Sequence, residues 1–130
     1  MKTLLIGILV AVGGALSISC GSSSGGSSDS SGVPRASTVG SLSSTDAATL
    51  CDWLAAEQGG YGRMVTCSDG STRKTDPNQA ICVAGSSAAQ TACPTLTVGE
   101  AEDCANAIGS DLCAISTASA CAAVSACLGY

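Results

Sequence analysis

Apolar residues fall into distinct regimes along this chain. From Leu4 to Leu16 they run almost unbroken, and from Gly21 to Gly32 they give way to Gly, Ser and one Asp. From Thr45 onward they return with helical spacing. Ala47, Leu50, Cys51 and Leu54 stand at i, i+3, i+4 and i+7, which predicts a first helix capped by Ser44 or Thr45 and stopped by Gly59-Gly60. Asp46 sits in its first turn, where the helix dipole favours a negative charge. Met64-Val65-Thr66-Cys67 reads as a short extended run entering the turn Ser68-Asp69-Gly70-Ser71. The residues after that turn have two readings: a hairpin with Ala80 to Val83, or a helix over 77–84 started by Asp76-Pro77.

The later elements are more sharply marked. Thr97-Val98-Gly99-Glu100 is a capping box, so a helix should run from about Val98 to Ile108, with Ala101, Cys104, Ala105 and Ile108 on its inner face and Gly109 as its stop. Glu100, Glu102 and Asp103 crowd its first turn and read as acids that complement the dipole. A last helix is expected over Thr117 to Leu128, with Cys121, Val124 and Leu128 on one stripe. The fold class predicted is small, disulfide-rich and mainly α, with three to four short helices, room for one small hairpin, and four disulfides.

Composition explains why cross-links are needed. The chain has no Phe, one Trp and two Tyr, and its apolar content is mostly Ala, which buries little area per residue. Such a core is thin, and four disulfides at about 2–4 kcal/mol each would stabilise it. Nine cysteines are present, and an odd number in an exported chain calls for an explanation. Setting Cys20 apart leaves Cys51, Cys67, Cys82, Cys93, Cys104, Cys113, Cys121 and Cys127, whose pairing the spacing does not reveal. No two of them stand as C-x2-C or C-x4-C, so a zinc site is not indicated and no cofactor is expected.

Lys2, the apolar run and the small residues before Cys20 have the layout of a secretory signal peptide. Leu4 to Ile18 is about 15 residues, short of the roughly 20 that cross a bilayer core. Leu16-Ser17-Ile18-Ser19-Cys20 resembles the lipobox of bacterial lipoproteins, in which the cysteine becomes the first mature residue and carries acyl chains. The leucine falls one place early, with Ser17 where a large aliphatic is usual, so ordinary signal-peptidase cleavage stays open. The resemblance implies a membrane partner through a lipid anchor on Cys20, and Gly21 rather than Asp resembles the pattern sorted to the outer membrane of diderm bacteria. This layout divides the chain into a signal peptide over 1–19, the lipidated cysteine with a flexible Gly/Ser-rich linker over 20–44, and a cysteine-rich helical domain over 45–130.

Chemistry is constrained by what is missing. The chain contains no histidine, which removes the usual general base and the commonest metal ligand. The acids at Glu100, Glu102 and Asp103 read as dipole partners rather than a glycosidase pair, and Asp69-Gly70-Ser71 with Asp76 does not match a calcium-loop spacing. No enzymatic activity is expected. Without Lys2 the cations are Arg35, Arg63, Arg73 and Lys74 against ten acids, so nucleic acid is not expected as a partner.

For contacts, Trp53, Tyr61, Arg63 and Tyr130 are the residue types that dominate binding surfaces. Trp53 reads as a buried anchor, whereas Tyr61 and Arg63, between glycines, read as surface interaction residues. Cys-Asp-Trp, Gly-Gly-Tyr-Gly and the cysteine after Thr-Val-Gly-Glu are similar to small cysteine-rich lipoproteins of myxobacterial genomes, a resemblance that implies location and fold but no role.

The expected function is a non-enzymatic binding or structural module whose partner is a protein or extracellular material. Alternatives are a protease inhibitor presenting Arg63 or Lys74, and a carrier of small apolar ligands. Eight cysteines and several helices resemble plant lipid-transfer proteins, but their adjacent Cys-Cys and Cys-X-Cys motifs are absent, and an Ala-rich chain is poorly supplied with the aliphatics that line such a hollow.

Overall fold

A computed structural model describes residues 29–129, so Cys20, the signal segment and Tyr130 lie outside the described residues. The chain is mainly helical: α1 spans Ser44–Glu57, β1 Met64–Thr66, β2 Thr72–Lys74, α2 Gln79–Ala92, α3 Val98–Ile108 and α4 Ala122–Leu128. Short 3-10 turns at Val39–Ser41, Leu112–Ser116 and Ser119–Cys121 join them.

The three longer helices each begin where a side chain can take an orphan amide. Ser43, one place before the expected cap, accepts from Asp46 N at the start of α1. Its end is a Schellman closure, in which Gly60 N donates to Ala55 O and Gly59 N to Ala56 O, with both glycines at positive φ. Asn78, not Asp76, caps α2 by accepting from Ile81 N, so Pro77 stands outside the helix. The capping box of α3 forms in full, with Glu100 N donating to Thr97 Oγ1 and Thr97 N donating to the Glu100 carboxylate.

The hairpin forms with a nearer partner than Ala80 to Val83. The turn at Ser68–Ser71 returns the chain at once, pairing Val65 with Arg73 and Thr66 with Thr72. Cys67 N donates to Ser71 O, and Asp69 accepts from the Ser71 amide and hydroxyl. Residues 80–83 therefore stay available to α2. The predicted helix over 117–128 is also shorter than expected. Asp111 accepts from Cys113 N and starts a 3-10 turn, and α4 begins only at Ala122.

One apolar cluster gathers Val33, Val39, Leu50 and Val98, with Trp53, Leu54 and Leu96 packed on it. Trp53 is partly buried there rather than enclosed. A second cluster holds Cys104, Ile108 and Cys121 against Ile115 and Val124. Val33 and Val39 correct the domain boundary. The chain before α1 is not a linker up to residue 44, because these valines bury and Val39 N donates to Leu96 O while Val98 N donates to Ser37 O. The polar run hides this segment in the sequence, where two isolated valines carry no period.

All eight predicted cysteines are paired: Cys51–Cys82, Cys67–Cys113, Cys93–Cys127 and Cys104–Cys121. The first ties α1 to α2, the second ties the hairpin turn to the 112–116 turn, and the other two fasten α4 and its entry to the end of α2 and to α3. α2 buries only Ser86, yet it is bonded at both ends and pressed on the Val39–Ser41 turn, where a Cβ on Gly40 would collide with the Gln90 backbone. Reduction is expected to unfold the chain, since losing a native disulfide from a small domain costs about 2–5 kcal/mol. Far-UV circular dichroism with and without reductant checks this, and an unchanged helical signal would contradict it.

Candidate functional site

Three features are candidates for function: a buried carboxylate, a loop fastened by Tyr61 and Arg63, and a set of adjoining cavities. Glu102 is the first. Its side chain is 0 % exposed, although its position in the first turns of α3 reads as a solvated dipole acid. The segment before α1 supplies its partners: Ser31 N and Ser31 Oγ each donate to Oε1 at 2.7 Å, and Arg35 donates to Oε2 at 2.8 Å. Arg35 also reaches Asp103 at 2.6 Å and stays 46 % exposed. Its pKa is raised above the ordinary arginine value, chiefly by that Asp103 hydrogen bond and further by the nearby Glu102 charge.

Such a carboxylate, with both oxygens accepting, fastens the chain before α1 to α3. The signal that would have revealed it is Arg35, an isolated cation in a polar run.

Tyr61 and Arg63 engage neighbouring parts of their own chain with their polar groups. Tyr61 donates its hydroxyl to Asp52 Oδ1 at 2.8 Å, and Arg63 donates to the carbonyls of Gln58 and Ser110. Thr75 Oγ1 accepts from Arg63 N and donates to Gly60 O, closing the loop onto the hairpin. Both predicted interaction residues are partly buried and join neighbouring elements of their own chain. Burial first, and then the hydrogen bond and charge of Asp52, push the Tyr61 phenol up to about 12.

The cavities arise from the small residues in the core. A partly open cavity of about 150 Å³ is walled by Leu50, Leu54, Leu96, Ile115 and Val124, with Gln58 and Ser86 as polar lining. A second, of about 270 Å³, shares Gln58, Ile115 and Val124 with it and adds Leu112 and Leu128 on its apolar side and Arg73, Lys74 and Asp76 on its polar side. A third, of about 390 Å³ beside α2, shares Val39, Ser86 and Leu96 with the first. Ala101 and Ala105 stand where larger side chains would fill the interior, so volume is left among the aliphatics. Among the described residues no three Cys, His, Asp or Glu side chains gather as a metal-ligand set. No protein-family model, curated protein or solved structure matches the chain.

The clamp and the tyrosine each make an expectation. Glu102→Ala should cost about 3–5 kcal/mol in chemical denaturation, because it breaks a buried pair and strands the Ser31 amide. Arg35→Ala should then cost far less in that background than alone, a non-additivity that a double-mutant cycle measures. For Tyr61, a phenol raised from 10.0 to about 12 favours the folded state fully below pH 10.0, and that contribution is lost as pH rises to about 12. Ultraviolet titration in a Tyr130→Phe background should give a midpoint near 12, and Asp52→Asn should lower it toward 10.0 while burial keeps it above.

Proposed function

We propose that this protein is an exported, non-enzymatic binding module, anchored through a lipid on Cys20 to the outer membrane of a diderm bacterium. The observation that carries the binding role is the set of adjoining cavities held inside a frame closed by four disulfides. A rigid frame binds without a large ordering cost, because its conformational freedom is already restricted before a partner arrives. The cysteines support export, since disulfides persist in oxidising compartments.

Within that role, the cavities favour carriage of a small apolar ligand over recognition of a partner by Tyr61 and Arg63, whose polar groups are engaged in the loop. For inhibition of a protease, Arg63 would have to leave the carbonyls of Gln58 and Ser110, so exposed Lys74 is the basic residue such a loop would present. Anchoring would hold the domain close to the membrane. Eight residues, 21–28, separate Cys20 from Asp29, the first described residue, a reach of about 30 Å at most when fully extended.

The test is an intact mass of the protein extracted from its native membrane fraction, alkylated with and without prior reduction. An acylated chain beginning at Cys20 that takes eight alkyl groups only after reduction is expected. An unlipidated chain, or thiols that alkylate before reduction, would overturn the anchored module.

A further inference from the structure

The four disulfides are not equally enclosed. Cys104 and Cys121 are both buried, and Cys51 and Cys93 are the buried members of their pairs, whereas Cys67 and Cys113 are both partly exposed. The elements they join differ in the same direction. Cys51, Cys82, Cys104 and Cys127 lie within α-helices, but Cys67 follows β1 at the start of the hairpin turn and Cys113 lies in the 3-10 turn Leu112–Ser116.

No residue from Ala56 to Lys74 is buried, and none of them belongs to either apolar cluster. An element with so little burial opens locally at small free energy unless something else holds it. At its base the hairpin is held by Thr75 Oγ1, which accepts from Arg63 N and donates to Gly60 O, and by Arg63, which donates to Ser110 O. At its tip the covalent hold is the bond from Cys67 to Cys113, and both strands rest on the turn that carries Cys113. The hairpin is thus a flap with a hydrogen-bonded base and a bonded tip. The cavity of about 270 Å³ is lined by Arg73 and Lys74 from this flap together with buried Leu112 and partly buried Ile115 of the turn. Moving the flap away would strip part of that lining and bring these aliphatics to the surface.

We propose that Cys67–Cys113 is a thiol-responsive latch: exchange with a dithiol reductant frees the tip of the hairpin and uncovers Leu112 and Ile115, while the other three disulfides keep the helices together. In the exchange a reductant thiolate attacks Sγ of Cys67, which adjoins the exposed residues Ser68 to Gly70, and the Cys67–Cys113 bond breaks with its electron pair passing to Cys113 Sγ. The second reductant thiolate then displaces Cys67 Sγ, so the dithiol is oxidised to its disulfide and its two protons end on the two cysteine thiols. The latch requires neither a lipid on Cys20 nor a ligand in the cavities.

The intact oxidised chain, treated with limiting dithiothreitol, alkylated with iodoacetamide at intervals and mapped by peptide mass, tests it. Cys67 and Cys113 should be alkylated at least about tenfold faster than any other pair, whereas excess reductant reaches the remaining three and unfolds the chain. The species carrying two alkyl groups should keep the helical circular dichroism, and its hydrogen exchange should rise over residues 64–74 and 112–116 while α1 and α3 stay protected. A chain with both Cys67→Ser and Cys113→Ser should show the same exchange pattern without reductant; should it fail to fold, alkylation and exchange of the native chain decide. Earlier alkylation of any other pair, or of all eight cysteines together, would overturn the latch, as would loss of the helical signal with the first pair. Rapid alkylation of Cys67 and Cys113 with unchanged exchange over 64–74 and 112–116 would overturn the opening of the flap.

Discussion

The disulfides of this domain hold in place elements that bury little by themselves. Among the described residues α4 buries no side chain and α2 only Ser86, yet Cys93–Cys127 bonds these helices to one another, Cys51–Cys82 bonds α2 to α1, and Cys104–Cys121 bonds the entry of α4 to α3. The hairpin, with three residues in each strand, is too short to persist alone and is held by Cys67–Cys113. Sequence separations of 17 to 46 make each link close a loop long enough to restrict the unfolded chain substantially. Elements that contribute little hydrophobic burial can therefore remain part of one structure.

The same use of covalent links in place of bulk is compatible with the partly open cavities between the helices. In a domain held by packing alone, alanines at positions such as Ala101 and Ala105 would leave cavities that destabilise the fold. Here the helices are fixed relative to one another by bonds, so the gaps between Leu50, Leu54, Leu96, Ile115 and Val124 do not have to close.

Glu102 contributes order of a different kind. A buried carboxylate is costly to desolvate, but three oxygen or nitrogen donors from Ser31 and Arg35 compensate it and fix where the chain before α1 lies. That segment brings Val33 and Val39 into the core. In the anchored reading it also fixes the point from which a tether would leave the domain, beside Asn106 of α3, which donates to Asp29 O.

The sequence by itself determined what depends on near neighbours. The capping box at Thr97 and Glu100, the Gly59-Gly60 stop, the turn at Ser68–Ser71 and the helical spacing of Leu50, Cys51 and Leu54 are satisfied within a few residues, so their structures could be read directly. An even set of eight cysteines after Cys20 likewise announced four cross-links. The choice of β2 over residues 80–83, and the 3-10 turns before α4, turned on small local competitions that propensity does not decide. Only the tertiary structure chose one disulfide pairing, buried Glu102 against Arg35 across 67 residues, and brought Arg73 beside Val124 and Leu128 around one cavity. Those contacts join residues far apart along the chain, and their energies depend on burial and distance, quantities that exist only once the chain has closed on itself.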